Sequence, residues 1–234
     1  MKVEIIAEIG QNHNGDMALA SELIHAARDG GADVAKFQLY DAVALFPREG
    51  NEWFEYNCET ELSRDQVGVL AEECAKVGIE FMASVFDVER IGWLEEVGVK
   101  RHKIASRSIR EMELLEALAA TGKPLLASLG MWCEATFPAI DASGGVGFLY
   151  CVSKYPTALE ELHLGSVDFT RYAGFSDHTI GINAPQIALA RGASILEKHF
   201  TLDKQMYGPD HAGSMTPDEL RALDAFRRDL ARAL

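Results

Sequence analysis

The chain is 234 residues long and 48% hydrophobic, with 36 acidic against 22 basic residues and a formal net charge of −14. That length can bury one large core, and with no Pro/Ser-rich linker or shift in composition residues 1–234 read as one domain. So acidic a chain argues against nucleic acid and anionic membrane surfaces as partners, because both require a basic patch to displace counterions, and it points to a small-molecule ligand.

In chain order, the N-terminal MKVEIIAEIG is too short and reaches glutamate too early for a signal peptide, and no run approaches bilayer-spanning length, so a cytoplasmic protein is expected. Short apolar runs rich in β-branched residues then recur, each ending in polar residues: VEIIAEIG from Val3, ADVAKFQLY from Ala32, IEFMASVF from Ile79, KRHKIAS from Lys100, KPLLASLG from Lys123, VGFLYCVS from Val146, YAGFSDHT from Tyr172 and SILEKHFTL from Ser194. Helical patterns fill the intervals. Met17 to Asp29 stops before Gly30-Gly31, Ser63 to Val77 opens with a Ser-x-x-Gln cap and stops before Gly78, and Glu89 to Val97 stops before Gly98. The last helix is announced by Thr216-Pro217-Asp218-Glu219. After the fifth and sixth runs the intervals are short or broken by Pro138 and Pro156, so little helix is expected there. Between the second and third runs, Asp41 to Leu62 carries Phe46, Trp53, Phe54 and Tyr56 and reads as a lid or an oligomer contact. Cys58, Cys74, Cys133 and Cys151 lack CxxC spacing, so reduced structural thiols are expected.

Eight βα units with no GxGxxG after the first strand predict a closed (β/α)8 TIM barrel rather than an open doubly wound sheet. In such barrels chemistry sits at the C-terminal ends of the strands. The polar residues there are Glu8 with Asn12-His13-Asn14-Gly15, Lys36 and Gln38, Ser84, Lys103 and Ser106, Ser128, Ser153 and Tyr155, Ser176-Asp177-His178, then Glu197 and His199. Residues two apart share a strand face, so Lys36 pairs with Gln38, Ser176 with His178, and Glu197 with His199. Two imidazoles from neighbouring strands with carboxylates close by would suit a divalent ion such as Mn²⁺, whereas a lone strand-end histidine is more often structural. Lys36 and Lys103 read either as cations for an anionic ligand or, for Lys103 beside Arg101 and His102, as a solvated strand start. Glu8 in an apolar strand needs a partner, and the serines read as small packing residues or as a phosphate cradle.

Several separated words of the sequence carry a resemblance: AEIGQNHNGD at Ala7 to Asp16, KFQ at Lys36, KIAS at Lys103, YCVSKYPT at Tyr150, GFSDHTIG at Gly174, and EKHFTLDK with GPDHAGSM between Glu197 and Met215. In this order, from about Val3 to Leu223, they resemble the catalytic barrel of the N-acetylneuraminate (sialic acid) synthase family. The resemblance implies condensation of phosphoenolpyruvate with an amino-sugar aldehyde such as N-acetylmannosamine, giving a nine-carbon sialic-type 2-keto acid and phosphate. It implies His178 and His199 as ligands of a divalent metal, Mn²⁺ first with Mg²⁺ or Co²⁺ as alternatives, and Glu8 acting on a water or substrate hydroxyl. Lys36, Lys103, Ser84, Ser106, Ser128 and Ser176 would hold phosphoenolpyruvate, and Gln38, Tyr155 and Asp210 would line the sugar side. Ser153 stands where the family often has Asn, and Asn51 is a further candidate phosphate contact.

Departures accompany the likeness. Arg107-Ser108 follow KIAS where the family often has a small residue and Glu, and Arg107 and Lys154 are the extra cations near the mouth. Full-length relatives carry a C-terminal antifreeze-like domain that helps bind the N-acyl sugar, and the 234 residues are expected to hold the barrel without it. A homodimer, or a separate antifreeze-like domain acting in trans, would be ways to supply that contact. Two other readings fit the same residues: a Schiff-base aldolase using Lys36 or Lys103, and a degenerate, non-catalytic sugar-binding barrel.

Overall fold

The computed structural model describes residues 3–234; Met1 and Lys2, which enter the leader reading above, lie outside them. Eight parallel strands close into a barrel in sequence order: β1 (Glu4–Gly10), β2 (Val34–Leu39), β3 (Glu80–Val85), β4 (His102–Ile104), β5 (Leu125–Ser128), β6 (Val146–Cys151), β7 (Gly174–Asp177) and β8 (Ile195–His199). The ring closes where β1 pairs with β8, with Glu8 opposite His199 on one side and Lys36 on the other. All eight apolar runs are strands. Both faces of each strand are covered, which is why these runs are nearly continuously apolar.

Strand alternation divides the buried residues into two cores. Ile6, Val34, Met82, Leu126 and Leu149, with Ile195 against them, fill the inside of the barrel, while a larger cluster packs the outer strand faces against the helices. Below the inner layer, at the N-terminal ends of the strands, Arg101 donates to Glu4 (2.7 Å) and Glu80 (2.9 Å). Two residues above it along each strand stand Glu8, Lys36, Ser84, Ser128 and Glu197, all buried. The same period that builds the core therefore aims the polar strand ends into the barrel mouth.

The outer layer follows the sequence signals closely. Helix α1 (Met17–Gly30) is capped by Asp16 and ends on Gly31, whose φ of 97° lies in the left-handed region. Helix α4 (Arg64–Val77) has the Ser63/Gln66 capping box, and α8 (Pro217–Ala233) the Thr216/Glu219 box with Pro at its start. Before α4, the β2–β3 connection holds two short helices, α2 (Ala42–Leu45) and α3 (Phe54–Glu59); α5 (Glu89–Glu96), α6 (Met112–Ala120) and α7 (Asn183–Ala190) complete the set. No α-helix joins β5 to β6, and only short 3-10 turns at Leu159–Glu161 and Leu164–Ser166 join β6 to β7. Pro138 and Pro156 fall in those two intervals, where a missing N–H and a clash with the preceding turn block regular helix. Among the described residues, no helix is long and apolar enough to cross a membrane.

Candidate active site

The C-terminal ends of the strands enclose a chamber of about 610 Å³. Glu8, Lys36, Gln38, Ser84, Lys103, Ser106, Ser128, Ser153, Tyr155, Ser176, His178 and His199 all line it, and Asp210 lines an adjoining recess of about 110 Å³ shared with both histidines. The strand-end side chains thus converge on one mouth, except Asn12, His13 and Asn14 after the first strand, which do not line it. Asn51 does not; its Oδ1 accepts from the Trp53 N–H ahead of α3.

The floor of the chamber is a buried set of alternating charges. Lys36 Nζ lies 2.7 Å from Glu8 Oε2 and 3.5 Å from Glu197 Oε2, and Lys103 Nζ lies 3.7 Å from Glu197 Oε1. Each ammonium also donates to a serine, Lys36 to Ser84 (3.2 Å) and Lys103 to Ser128 (2.8 Å), while Ser176 donates to Glu197 (2.9 Å) and Gln38 to Glu8 (3.0 Å). Lys103 is 1% exposed, so it belongs to the barrel interior and not to a solvated strand start. Burial alone would push Lys36 down, but Glu197 and Glu8 outweigh it and raise its pKa. Lys103 goes the other way: burial dominates, Glu197 compensates only in part, and neighbouring Lys36 lowers it further. For Glu197, burial opposes ionisation, yet the two lysines hold the carboxyl well below its ordinary range. An interior set paired in this chain keeps its charges fixed and ready, because removing any one member would leave a buried charge less compensated.

Above the floor, His178 and His199 face each other with ring centroids 5.9 Å apart, and Tyr155 packs at 4.0 Å over His178. His178 Nδ1–H donates to the Val152 carbonyl (2.9 Å), which leaves Nε2 with its lone pair free, and burial followed by the neighbouring His199 lowers its pKa to about 3. A neutral imidazole with a fixed tautomer is what a metal-ligating histidine requires. His199 Nδ1 is buried without a hydrogen-bond partner, and Asp210 Oδ2 lies 3.8 Å from it. Among the described residues no cluster of three or more His, Cys, Asp or Glu side chains stands ready to close around an ion. Two imidazoles with an open side fit a divalent ion whose other positions are filled by water and substrate oxygens, and not a closed structural site.

Backbone features shape this mouth. The β1–β2 register shifts between Glu8 and Gly10, and Gly10 has a φ of 54°; a Cβ there would stand 3.2 Å from Gln38 Nε2 and 3.6 Å from the His199 ring. At Gly130 a Cβ would meet Ser153 Oγ at 2.3 Å and Cys151 Sγ at 2.8 Å, so only glycine leaves the small-residue cradle formed with Ser106 open. Sequence reasoning placed Glu197 on the His199 face but gave it no role; its position between two lysines is the missing information. Cys151, which ends β6 beside Ser106, carried no signal because a small buried residue at a strand end reads as core, and the Phe46, Phe86 and Met131 wall carried none because apolar residues at loop starts look the same whether or not they border a cavity. The Asp177–Lys198 pair (2.6 Å), with Lys198 also donating to the Thr179 carbonyl (2.5 Å), ties together the residues preceding the two histidines.

A closed parallel barrel whose mouth holds buried lysines, hydroxyls and two open imidazoles is the site of a barrel enzyme acting on an anionic small molecule. The chain belongs to the NeuB family, whose sequence model matches residues 23–234. It is 37% identical to N,N'-diacetyllegionaminic acid synthase of Legionella pneumophila, over 98% of this chain and 72% of that protein. It is 34% identical to human N-acetylneuraminate-9-phosphate synthase, over 98% and 70% of the two chains. In structure it resembles N-acetylneuraminic acid synthetase from Leptospira borgpetersenii, solved in complex with citrate, with a TM-score of 0.91, 34% identity, and 100% and 85% of the two chains covered.

Proposed function

We propose that residues 1–234 act as one cytoplasmic catalytic barrel that condenses phosphoenolpyruvate with an amino-sugar aldehyde of the N-acetylmannosamine type, releasing phosphate and a nine-carbon 2-keto acid. The observation that carries this reading is the buried Glu8–Lys36–Glu197–Lys103 set beneath two open imidazoles, in a family whose relatives are named as synthases of such acids. Lys36 and Lys103 offer ammonium donors to the carboxylate and phosphate, and Ser84, Ser106, Ser128, Ser153 and Ser176 offer hydroxyls to their oxygens. Gln38, Tyr155 and Asp210 orient the sugar so that C3 of the enol faces the aldehyde carbon. C3 bonds to that carbon, water adds at C2, and the C–O bond to phosphate breaks; Glu8, held by Gln38 and Lys36, takes the proton of the water or of a substrate hydroxyl. His178 and His199 would hold the divalent ion, Mn²⁺ first among candidates, which when bound polarises the aldehyde as a Lewis acid.

The test is phosphate release from phosphoenolpyruvate with N-acetylmannosamine, mannosamine and mannose, with Mn²⁺ or after chelation. Release that requires both an amino sugar and the ion, and that His199→Ala abolishes with its fold intact, is expected; no release with any aldehyde would overturn the reading. Borohydride trapping of pyruvate on Lys103 would instead favour the Schiff-base aldolase, for which the lowered Lys103 pKa is the supporting observation.

A further inference from the structure

Four cationic side chains line the chamber: Lys36, Lys103, Lys198 and Arg107. Three of them already face a carboxylate, Lys36 that of Glu8, Lys103 that of Glu197 and Lys198 that of Asp177. The lysines therefore contribute no net charge to the chamber. Arg107 differs. It lies at the rim, exposed, directly after Ser106 on the 3-10 turn Ser106–Ser108 that follows β4. Among the described residues it joins no ion pair within 4.0 Å, although Glu111 lines the same wall. Its guanidinium rests over Phe46 and Phe86, 5.5 and 5.9 Å from the ring centroids. Stacking on a ring face restrains the fork while leaving its in-plane N–H donors unspent.

The ligand proposed above brings a carboxylate and a phosphate monoester, about three negative charges at neutral pH. It must enter a protein of net charge −14 and settle on lysines whose charge is already matched. A divalent ion on His178 and His199 would stand by β7 and β8, across the ring from β4. We propose that Arg107 is the third cation for phosphoenolpyruvate, drawing the anion to the mouth and clamping its phosphate from the rim above Ser106. The inference rests on the synthase reading and adds a binding residue to it. A rim cation of this kind acts on capture as well as on affinity, so its contribution falls as salt rises.

Calorimetric titration of phosphoenolpyruvate into the wild type and Arg107→Met, with Mn²⁺ and over a range of ionic strengths, tests it beside steady-state kinetics. Arg107→Met is expected to weaken phosphoenolpyruvate binding about ten- to a hundred-fold, the range for a charged hydrogen bond, and to flatten the salt dependence. KM for the amino sugar and the melting temperature are expected to stay at wild-type values, and Arg107→Lys to recover part of the affinity. Unchanged phosphoenolpyruvate affinity in Arg107→Met, or a loss that falls on the sugar KM, would overturn the assignment while leaving the synthase reading in place. If the wild type itself binds no phosphoenolpyruvate, the synthase reading and this inference fall together.

Discussion

Lys103 and His13 show how burial acts on single groups in this barrel, with different outcomes. Lys103 keeps Ser128 and Glu197 as partners, so Lys103→Met should weaken phosphoenolpyruvate binding by about 1.5–3 kcal/mol, read by the same titration, while Glu197 retains Lys36. His13 has far less support. Its Nδ1 accepts from the Gly15 N–H (3.2 Å), its Nε2 is buried without a partner, and burial lowers its pKa to about 4. The unfolded chain takes up the proton near pH 6.5 and the folded chain only near 4, so protonation favours unfolding. Stability from this residue is complete above pH 6.5 and is lost as pH falls toward 4, by roughly 3 kcal/mol in all. Thermal melts of wild type and His13→Gln between pH 7 and 4 check this: the wild type should lose more, and parallel curves would contradict it. Neither outcome is visible in the letters alone. His13 sits in a motif that reads as catalytic, yet its ring packs 6.1 Å from Phe37, outside the chamber lining.

At the scale of elements, the QNHNG stretch after β1 works as a fastening. The Gln11 amide donates into the cluster of Tyr40, Asn57 and Thr60, Asn12 donates to the Phe200 carbonyl and to Ser214, and Asn14 Oδ1 accepts from Tyr56 and from His211. The aromatic segment between β2 and α4 is thereby bound to the β1 loop and to the residues after β8, with Trp53, Tyr56 and Tyr207 packed edge to face or tilted at 5.4–5.8 Å. A lid needs freedom that these bonds remove. Trp53 emission should therefore change little when phosphoenolpyruvate and sugar bind, whereas Tyr56→Phe, at a cost of about 1 kcal/mol, should speed amide exchange across α3 without affecting α1. The strands and capped helices were legible because hydrophobic period and cap chemistry are local. Glu8 and Lys36 stood out because charge inside an apolar run needs a partner, whereas Lys103, beside Arg101 and His102, read equally as a solvated strand start until its burial was seen. Loop fastenings such as Asn14 with His211 join residues almost two hundred positions apart, and no local pattern encodes them.

At the scale of the molecule, the ring is held shut where the chain ends meet. Arg227 on α8 donates to the Val3 and Gly31 carbonyls and pairs with Asp33 and Asp224, so one guanidinium spans β1, the α1–β2 turn and α8. Replacing it with Met leaves Asp33 without its ion partner, while Asp224 keeps Arg228, and should cost roughly 2 kcal/mol, a fall in melting temperature of roughly 4–8 °C by calorimetry. The same end of the barrel sets the traffic. Arg101, locked between Glu4 and Glu80, and the apolar layer of Ile6, Val34, Met82, Leu126 and Leu149 stopper the tube, so the chamber is a blind well with one doorway. Whatever rests on Lys36 and Lys103 must pass the histidine tier first, and a sugar parked at His178 and His199 would bar its way. Turnover should therefore queue: the deep anion first, the sugar second, and the shallow product out before the doorway clears. Sugar would then act as a dead-end inhibitor at high concentration, a pattern that a second door through the floor would erase.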